Sequence, residues 1–203
     1  MISLCFNEEK FFGDVCDEIR LFLQAKKIEN TSEIKNHGLC VRAFFGEEKS
    51  WTMDCEIFSE GKSLLAKSFE SEKQGKSELE IKKHKKRFIK NSVYALLKEY
   101  TGKILPWGSL TGIRPTKLAR EIKNSKGEEY AKSFFKNVYD VSDKKIKVAF
   151  DIVSRQEEII NSASENSIDI YVGIPFCKTR CSYCSFVSRE YDRNISLKDD
   201  YIK

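Results

Sequence analysis

The sequence is poor in the residues that build linkers, membrane spans and disulfide frameworks. Proline occurs three times and glycine ten times in 203 residues, which argues against long disordered linkers. No run of about 18 or more apolar residues is present, so no membrane span is predicted. The N-terminal segment lacks a basic stretch followed by an apolar core, and we therefore expect no secretory signal.

The cysteine count and the charge balance narrow the class of protein further. Seven cysteines are an odd number, which fits a closed disulfide framework poorly. We therefore expect a cytoplasmic protein whose thiols are reduced or bound to metal. The 36 basic and 31 acidic residues give a net charge of +5, and this mixed surface permits anionic ligands without requiring nucleic acid.

The N-terminal part of the chain predicts a small α+β domain over residues 1–75. Apolar residues recur at intervals of three and four in residues 8–27, which is typical of an amphipathic helix. The aromatic and β-favouring runs 38–46 and 51–58 are separated by a polar turn and predict an antiparallel hairpin. Further strands are predicted over residues 1–6 and 63–70.

A helical region is predicted over residues 76–166, and it begins with a well-marked helix. Ser77 and Glu80 form a capping-box pattern, and Gly102 occupies a C-terminal cap position. One face of this helix is apolar and the opposite face is basic, with Lys82, Lys83, Lys85, Lys86, Arg87 and Lys90. Two interpretations of the basic face stay open: a solvated surface, or an RNA-binding patch.

The segment 103–115 is interrupted by proline and glycine yet rich in apolar residues. It is either a buried connector between two domains or a surface that presents Trp107 and Arg114 to a ligand or to the following domain. Further helices are predicted over residues 116–123, 128–139 and 143–163. Ser142 is the expected N-cap of the last of these helices.

The most informative stretch lies near the C-terminus. Residues 168–174 are almost continuously apolar and predict a parallel strand buried on both faces. This run leads into Cys177, Cys181 and Cys184, which have the spacing C-x3-C-x2-C. The other cysteines are interpreted as small buried side chains: Cys5, Cys16, Cys40 and Cys55.

Four interpretations of the three clustered thiols compete. Thiolates bind both zinc and iron–sulfur clusters, but a structural zinc site requires a fourth ligand. A disulfide would leave one thiol over, and three unrelated buried cysteines are a further alternative. We favour a 4Fe–4S cluster, because such a cluster can be held by three thiolates. Its fourth iron then stays open to a substrate.

The segment CKTRCSYC resembles the cluster motif of the radical SAM superfamily, in which an aromatic residue precedes the third cysteine, as Tyr183 does here. The longer string YVGIPFCKTRCSYCSF resembles the oxygen-independent coproporphyrinogen III oxidase group. The string PWGSLTGIRPTKL at 106–118 is similar to the HemZ-type coproporphyrinogen dehydrogenase branch of that group. The resemblance covers about residues 76–187 and, more weakly, the N-terminal region.

The resemblance implies specific ligands and a specific reaction. Cys177, Cys181 and Cys184 would bind the 4Fe–4S cluster, and Tyr171 and Tyr183 would lie near S-adenosyl-L-methionine. The family reaction is the oxidative decarboxylation of two propionate side chains to vinyl groups in anaerobic porphyrin and haem biosynthesis. The implied partners are a porphyrinogen-like small molecule in the full-length protein and an electron donor such as flavodoxin or ferredoxin. Neither a membrane nor a nucleic acid is expected as a partner.

Two features depart from the family pattern. Phe186 occupies a position at which members of the oxidase group carry a further cysteine, and the sequence ends shortly after the motif. We therefore expect residues 167–203 to form the first strand and cluster loop of a truncated radical SAM partial (β/α) barrel, and this fragment to be inactive by itself. The alternatives are a radical SAM enzyme of other chemistry, such as methyl transfer or haem degradation, and a non-catalytic RNA- or protein-binding module.

Overall fold

The computed structural model describes residues 1–162, 164, 166–168, 170–182, 184, 186 and 188–202. The chain divides into two compact units, Met1–Ile160 and Asn161–Lys203. No helix in the described part of the chain is both long enough and apolar enough to cross a membrane.

A five-stranded mixed sheet organises the N-terminal half of the first unit, with the strand order β2-β1-β3-β4-β5. The elements in chain order are β1 (Ile2–Phe6), α1 (Phe12–Leu23), β2 (Ile28–Asn30), β3 (Leu39–Glu47), β4 (Trp51–Ser59) and β5 (Lys62–Ser71). Strand β1 pairs in parallel with both β2 and β3, whereas β3–β4 and β4–β5 are antiparallel. The predicted hairpin and flanking strands are confirmed, and β2 is an additional strand whose three residues are too few to show a periodicity.

The sheet buries one face, because alternate side chains of a strand point to the same side. In β4 these are Trp51, Met53, Cys55 and Ile57, each almost fully buried. Helix α1 packs on this core through Val15, Ile19 and Phe22. The helix predicted over residues 8–27 is therefore confirmed for Phe12–Leu23. It is preceded by a 3-10 turn at Glu9–Phe11 and ends where Gln24 adopts a left-handed backbone, so residues 24–27 are not helical.

Helix α2 (Glu78–Thr101) covers the same core with its apolar face, which includes Val93 and Leu97. Ser77 and Glu80 form the predicted capping box, and Gly102 ends the helix with a left-handed backbone. The expectation of a solvated basic face is wrong at Lys90, which is only 5% exposed.

Three further helices and the connector 103–114 form a second apolar cluster in the first unit. The helices are α3 (Pro115–Lys126), α4 (Glu128–Tyr139) and α5 (Asp143–Ser162), which confirms their prediction. The connector is buried at Ser109 and Leu110, and Trp107 packs against the same cluster. Arg114 is exposed, and its presentation to a ligand stays a prediction. The Ser142 hydroxyl, which we expected to cap α5, donates to the Pro106 carbonyl at 3.0 Å.

The second unit contains the cysteine motif. Its strands are β6 (Phe176–Cys177) and β7 (Arg189–Glu190), which pair in parallel. A 3-10 turn at Ile195–Leu197 leads into α6 (Lys198–Ile202). The Phe176 ring contacts the Tyr201 ring edge-on, with the centroids 5.6 Å apart.

The predicted buried strand over residues 168–174 is wrong for its described residues, 168 and 170–174. These residues join no ladder, and Ile168, Ile170 and Val172 are each at least three-quarters exposed. A buried parallel strand requires neighbours that pair with its backbone N–H and C=O groups. Within the described part of this unit, β6 and β7 form the one ladder. The truncated barrel therefore stays a prediction, whereas the mixed α+β character of the chain is confirmed.

Candidate cysteine-loop site

The three clustered cysteines lie on a loop whose ends are held together by β6 and β7. The Arg189 backbone N–H donates to the Pro175 carbonyl at 2.8 Å, and the Tyr191 N–H donates to the Cys177 carbonyl at 2.8 Å. Cys177 therefore sits at one end of a closed loop that contains Cys181 and Cys184. Closing the loop in this way limits how far apart the three thiols can move.

Two of the three cysteines, Cys181 and Cys184, belong to one backbone turn. The Cys184 N–H donates to the Cys181 carbonyl at 3.0 Å. Cys177 and Cys181 are exposed and Cys184 is half-buried. Over the described residues, no three histidine, cysteine, aspartate or glutamate side chains lie close enough together to hold a metal ion. The structure therefore places the thiols on one loop without gathering all three sulfurs.

Cys184 has the most specific surroundings of the three. Its Sγ lies 3.5 Å from the Ser188 hydroxyl and 3.9 Å from the Phe186 carbonyl. The hydrogen bond with Ser188, followed by the Phe186 backbone contact and the Arg180 charge, lowers the pKa of Cys184. The sequence reasoning missed Ser188, whose only signal is a small polar residue four positions after the last cysteine.

Three of the other four cysteines differ from the loop cysteines in burial, and from Cys184 in the direction of the thiol pKa shift. Cys16, Cys40 and Cys55 are buried in the first unit, and burial raises the pKa of all three thiols, that of Cys55 to about 12. Cys5 is half-buried in β1. Because the thiolate is the form that binds metal, the accessible loop thiols are the suitable donors in this chain. The interpretation of the others as buried side chains is confirmed for Cys16, Cys40 and Cys55.

The structure tests neither of the two predicted S-adenosylmethionine contacts. Tyr171 is 86% exposed, on the segment that we expected to be a strand. Tyr183 lies outside the described residues. Both roles stay predictions.

Basic side chains surround the end of the cysteine loop. A groove of about 420 Å³ is lined by Arg180, Ser188, Arg189, Glu190, Arg193 and Asn194. Arg193 pairs with Glu190 at 3.0 Å. The excess of cations favours thiolates and anionic ligands over neutral ones at this end of the loop.

The basic face of α2 is the candidate RNA-binding patch, and several of its side chains form ion pairs or polar contacts within the first unit. Lys85 pairs with Glu47 at 3.0 Å and Lys86 with Asp14 at 2.7 Å. Arg87 contacts the His84 ring nitrogen at 2.6 Å. Cations that already have acidic or polar partners are less available to phosphate groups.

Comparison with known proteins adds one relative. Over 113 residues the chain is 38% identical to the oxygen-independent coproporphyrinogen-III oxidase-like protein HemZ of Bacillus subtilis (strain 168). The chain is similar to a HemZ-type protein. This confirms the resemblance predicted from the cysteine and PWGSLTGIRP motifs. The aligned region covers 54% of the chain and 23% of the HemZ relative, so the chain spans less than a quarter of that protein.

Two further comparisons found nothing similar. No protein-family model matches the chain, and no solved structure matches it. The similarity to HemZ therefore rests on sequence alone. It does not assign the activity of the whole HemZ protein to this chain.

Proposed function

We propose that this chain carries the cluster-binding loop of a radical SAM protein of the coproporphyrinogen-III oxidase-like group. The observation that carries the proposal is the contrast between two sets of thiols. On the closed loop Cys177 and Cys181 are exposed and Cys184 is half-buried, whereas three of the other four thiols are buried in the first unit. The similarity to HemZ supports the same assignment.

The proposed ligands are Cys177, Cys181 and Cys184. A 4Fe–4S cluster held by these thiolates, with one open iron, would supply the electron for reductive cleavage of S-adenosylmethionine. The β6–β7 ladder closes the loop, and the Ser188 hydrogen bond favours the thiolate of Cys184. Tyr171 and Tyr183 are proposed to lie near S-adenosylmethionine in the whole protein.

The proposed reaction of the whole protein is the oxidative decarboxylation of porphyrinogen propionates to vinyl groups. The electron donor would be an acidic protein such as flavodoxin or ferredoxin, because Arg180 and Arg189 surround the loop with positive charge. We expect this chain to bind the cluster without turning over substrate, since the groove beside the loop is open and has few apolar walls.

The alternatives have less support. A radical SAM enzyme of other chemistry would use the same loop, so only assays of the whole protein with candidate substrates separate it from the first proposal. An RNA-binding module would need free cations on α2, but Lys85, Lys86 and Lys90 all form ion pairs within the first unit.

Anaerobic reconstitution with iron and sulfide tests the cluster proposal. The chain is expected to gain broad visible absorption and to bind iron and sulfide, because three thiolates are the ligands that such clusters use. The triple variant Cys177→Ala, Cys181→Ala, Cys184→Ala should lose both signals.

The matched control is Cys5→Ala, which removes a half-buried thiol outside the loop and should leave the absorption intact. Far-UV circular dichroism establishes that each variant is folded. The proposal would be refuted if the triple variant bound as much iron as the parent chain, or if the folded parent chain bound none.

A further inference from the structure

Two basic side chains of α2, His84 and Arg87, are in direct contact. Arg87 Nη2 lies 2.6 Å from His84 Nδ1. A guanidinium has only N–H donors, so this contact is a hydrogen bond only if Nδ1 carries no proton and accepts. The geometry therefore requires a neutral imidazole with its proton on Nε2. A protonated imidazole has N–H donors at both nitrogens and would lose the hydrogen bond.

Arg87 also connects α2 to two other segments. Its guanidinium lies over the Phe134 ring of α4, with the guanidinium carbon 5.4 Å from the ring centroid. It also forms a hydrogen bond with the side chain of Tyr139 at the end of α4. Arg87 Nη2 donates to Gln74 Oε1 at 3.4 Å, in the segment between β5 and α2. Since α2 covers the core of the sheet and α4 belongs to the second apolar cluster, Arg87 lies where these two parts of the first unit meet.

The positive charge of Arg87 is not compensated by a carboxylate. Within the part of the chain that the structure describes, Arg87 forms no ion pair, whereas its neighbours Lys85 and Lys86 each pair with an acidic side chain. Protonation of His84 would therefore place a second positive charge directly beside an uncompensated one, and like charges at this distance repel each other.

The other charges around His84 do not remove this repulsion. Burial, followed by the Arg87 charge, lowers the pKa of His84 below its ordinary value of 6.5. The Glu80 carboxylate acts in the opposite direction, and Lys126 of α3 and Lys83 add to the lowering. The folded chain therefore holds the His84 proton less tightly than the unfolded chain. This contribution to the free energy of unfolding is fully present above about pH 6.5 and is lost as the pH falls through the pKa of His84 in the folded chain.

A pocket of about 140 Å³ beside the pair gives the two side chains room to separate. Its other lining side chains are uncharged: Trp51, Ser71, Gln74, Phe88 and Asn91. A displaced guanidinium would therefore meet no carboxylate in this pocket.

We propose that His84 is a pH-sensitive switch for the contact between α2 and α4. While His84 is neutral, its Nδ1 holds the guanidinium of Arg87 against Phe134 and Tyr139. On protonation the hydrogen bond is lost, the two cations repel each other, and Arg87 leaves the Phe134 ring. The switch belongs to the first unit and does not rest on the proposed cluster or reaction.

Nuclear magnetic resonance of the complete chain, labelled with carbon-13 and nitrogen-15, tests the switch. The signals of the His84 imidazole, the Arg87 guanidinium and the Phe134 ring are followed between about pH 5 and about pH 8, the range in which histidine changes charge. We expect the nitrogen shifts of neutral His84 to identify the Nε2–H tautomer. We expect His84 to titrate with a midpoint below about 6.5, and the Arg87 and Phe134 signals to move with the same midpoint.

Substitutions separate the switch from a general effect of pH. His84→Asn keeps an oxygen that can accept from Arg87 but does not titrate, so the Phe134 signals should stay at their high-pH positions. His84→Lys places a permanent cation beside Arg87 and should hold the Phe134 signals at their low-pH positions. Arg87→Gln removes the neighbouring charge and should raise the His84 midpoint.

The matched control is His37→Gln, which removes the other histidine of the chain at an exposed position and should leave the Phe134 response unchanged. Far-UV circular dichroism establishes that each variant is folded, and the tautomer of the parent chain needs no substitution. An Nδ1–H tautomer in the neutral state would overturn the inference, as would Phe134 signals that do not follow the His84 titration. The same holds if the response persists in His84→Asn, disappears in His37→Gln, or if Arg87→Gln leaves the His84 midpoint unchanged.

Discussion

The carboxylate of Glu18 in α1 lies 3.3 Å from the ammonium of Lys90 in α2, and the two side chains are 0% and 7% exposed. The Thr111 hydroxyl donates to Glu18 Oε1 at 2.6 Å, and the Thr111 carbonyl accepts from Lys90 Nζ at 2.9 Å. The buried pair therefore joins both core helices to the connector. Glu18 Oε2 has no hydrogen-bond partner within the described part of the chain.

Removing one member of this pair should be much more damaging than replacing both. Glu18→Ala leaves the Lys90 ammonium buried without its counter-charge, and we expect it to lower the free energy of unfolding by about 3–5 kcal/mol. The double variant Glu18→Leu with Lys90→Met should stay within about 1–2 kcal/mol of the parent, since apolar side chains of similar size avoid the desolvation cost. Urea unfolding followed by circular dichroism measures both. Equal destabilisation by the single and double variants would contradict this account.

The same pair should make stability depend on pH. Burial raises the pKa of Glu18 above its ordinary value of 4.5, although the Thr111 hydroxyl and the Lys90 charge act in the opposite direction. The folded chain then holds the Glu18 proton more tightly than the unfolded chain. This tighter proton binding adds to the free energy of unfolding. The added stability is fully present below about pH 4.5 and is lost as the pH rises through the pKa of Glu18 in the folded chain.

Glu18→Gln is the control for this pH dependence, because its side-chain oxygen still accepts from Thr111 but does not titrate. We expect the free energy of unfolding of the parent, relative to Glu18→Gln, to fall as the pH rises above about 4.5. Urea titrations at several pH values give the difference directly. A relative stability that is flat or rises over this range would refute the raised pKa.

A third prediction concerns the close approach of the connector to the end of α4. Gly108 has φ +55°, and a Cβ atom at this position would lie 1.8 Å from the Tyr139 carbonyl oxygen. Gly108→Ala should therefore combine a left-handed backbone cost of about 1–2 kcal/mol with a steric cost of about 1–3 kcal/mol. Thermal unfolding by circular dichroism measures the loss.

Gly112→Ala is the matched control in the same connector. Gly112 has φ +65°, but no atom lies within 4 Å of a Cβ built there. It should show only the backbone cost of about 1–2 kcal/mol. If both variants lose the same stability, the contact with the Tyr139 carbonyl does not constrain the connector.

A fourth prediction separates the two sets of thiols by their reactivity. With a colorimetric disulfide reagent under native conditions, Cys177, Cys181 and Cys184 should react fast, and Cys16, Cys40 and Cys55 only after unfolding. The half-buried Cys5 should react at an intermediate rate. After anaerobic reconstitution the three fast equivalents should disappear, because metal-bound thiolates are blocked.

The triple loop variant provides the control for this assignment. It should lack the fast phase and keep the slow one, and mass spectrometry of the labelled peptides identifies each site. Fast labelling of Cys40 or Cys55 in the folded chain would contradict the buried core described here.

Much of the first unit could be predicted from the sequence, because local signals act within a few residues. The capping box at Ser77 and Glu80 marks the start of α2, and the aromatic runs around residues 38–58 mark the hairpin. These features depend on backbone hydrogen bonds and side-chain periodicity between near neighbours. The predicted domain boundaries after residues 75 and 166 rest on composition and stay predictions.

The sequence by itself determined the candidates for chemistry: the C-x3-C-x2-C spacing of three cysteines, and a connector string that resembles the HemZ-type group. The tertiary structure alone decided the burial of Lys90, since a basic residue amid other basic residues gives no sign of the Glu18 carboxylate packed against it from another helix. It also decided that residues 170–174 remain unpaired, because a strand forms only where a neighbour satisfies its backbone groups. Spacing along the chain therefore predicts the candidate ligands, and contacts between distant segments determined the surroundings of the residues.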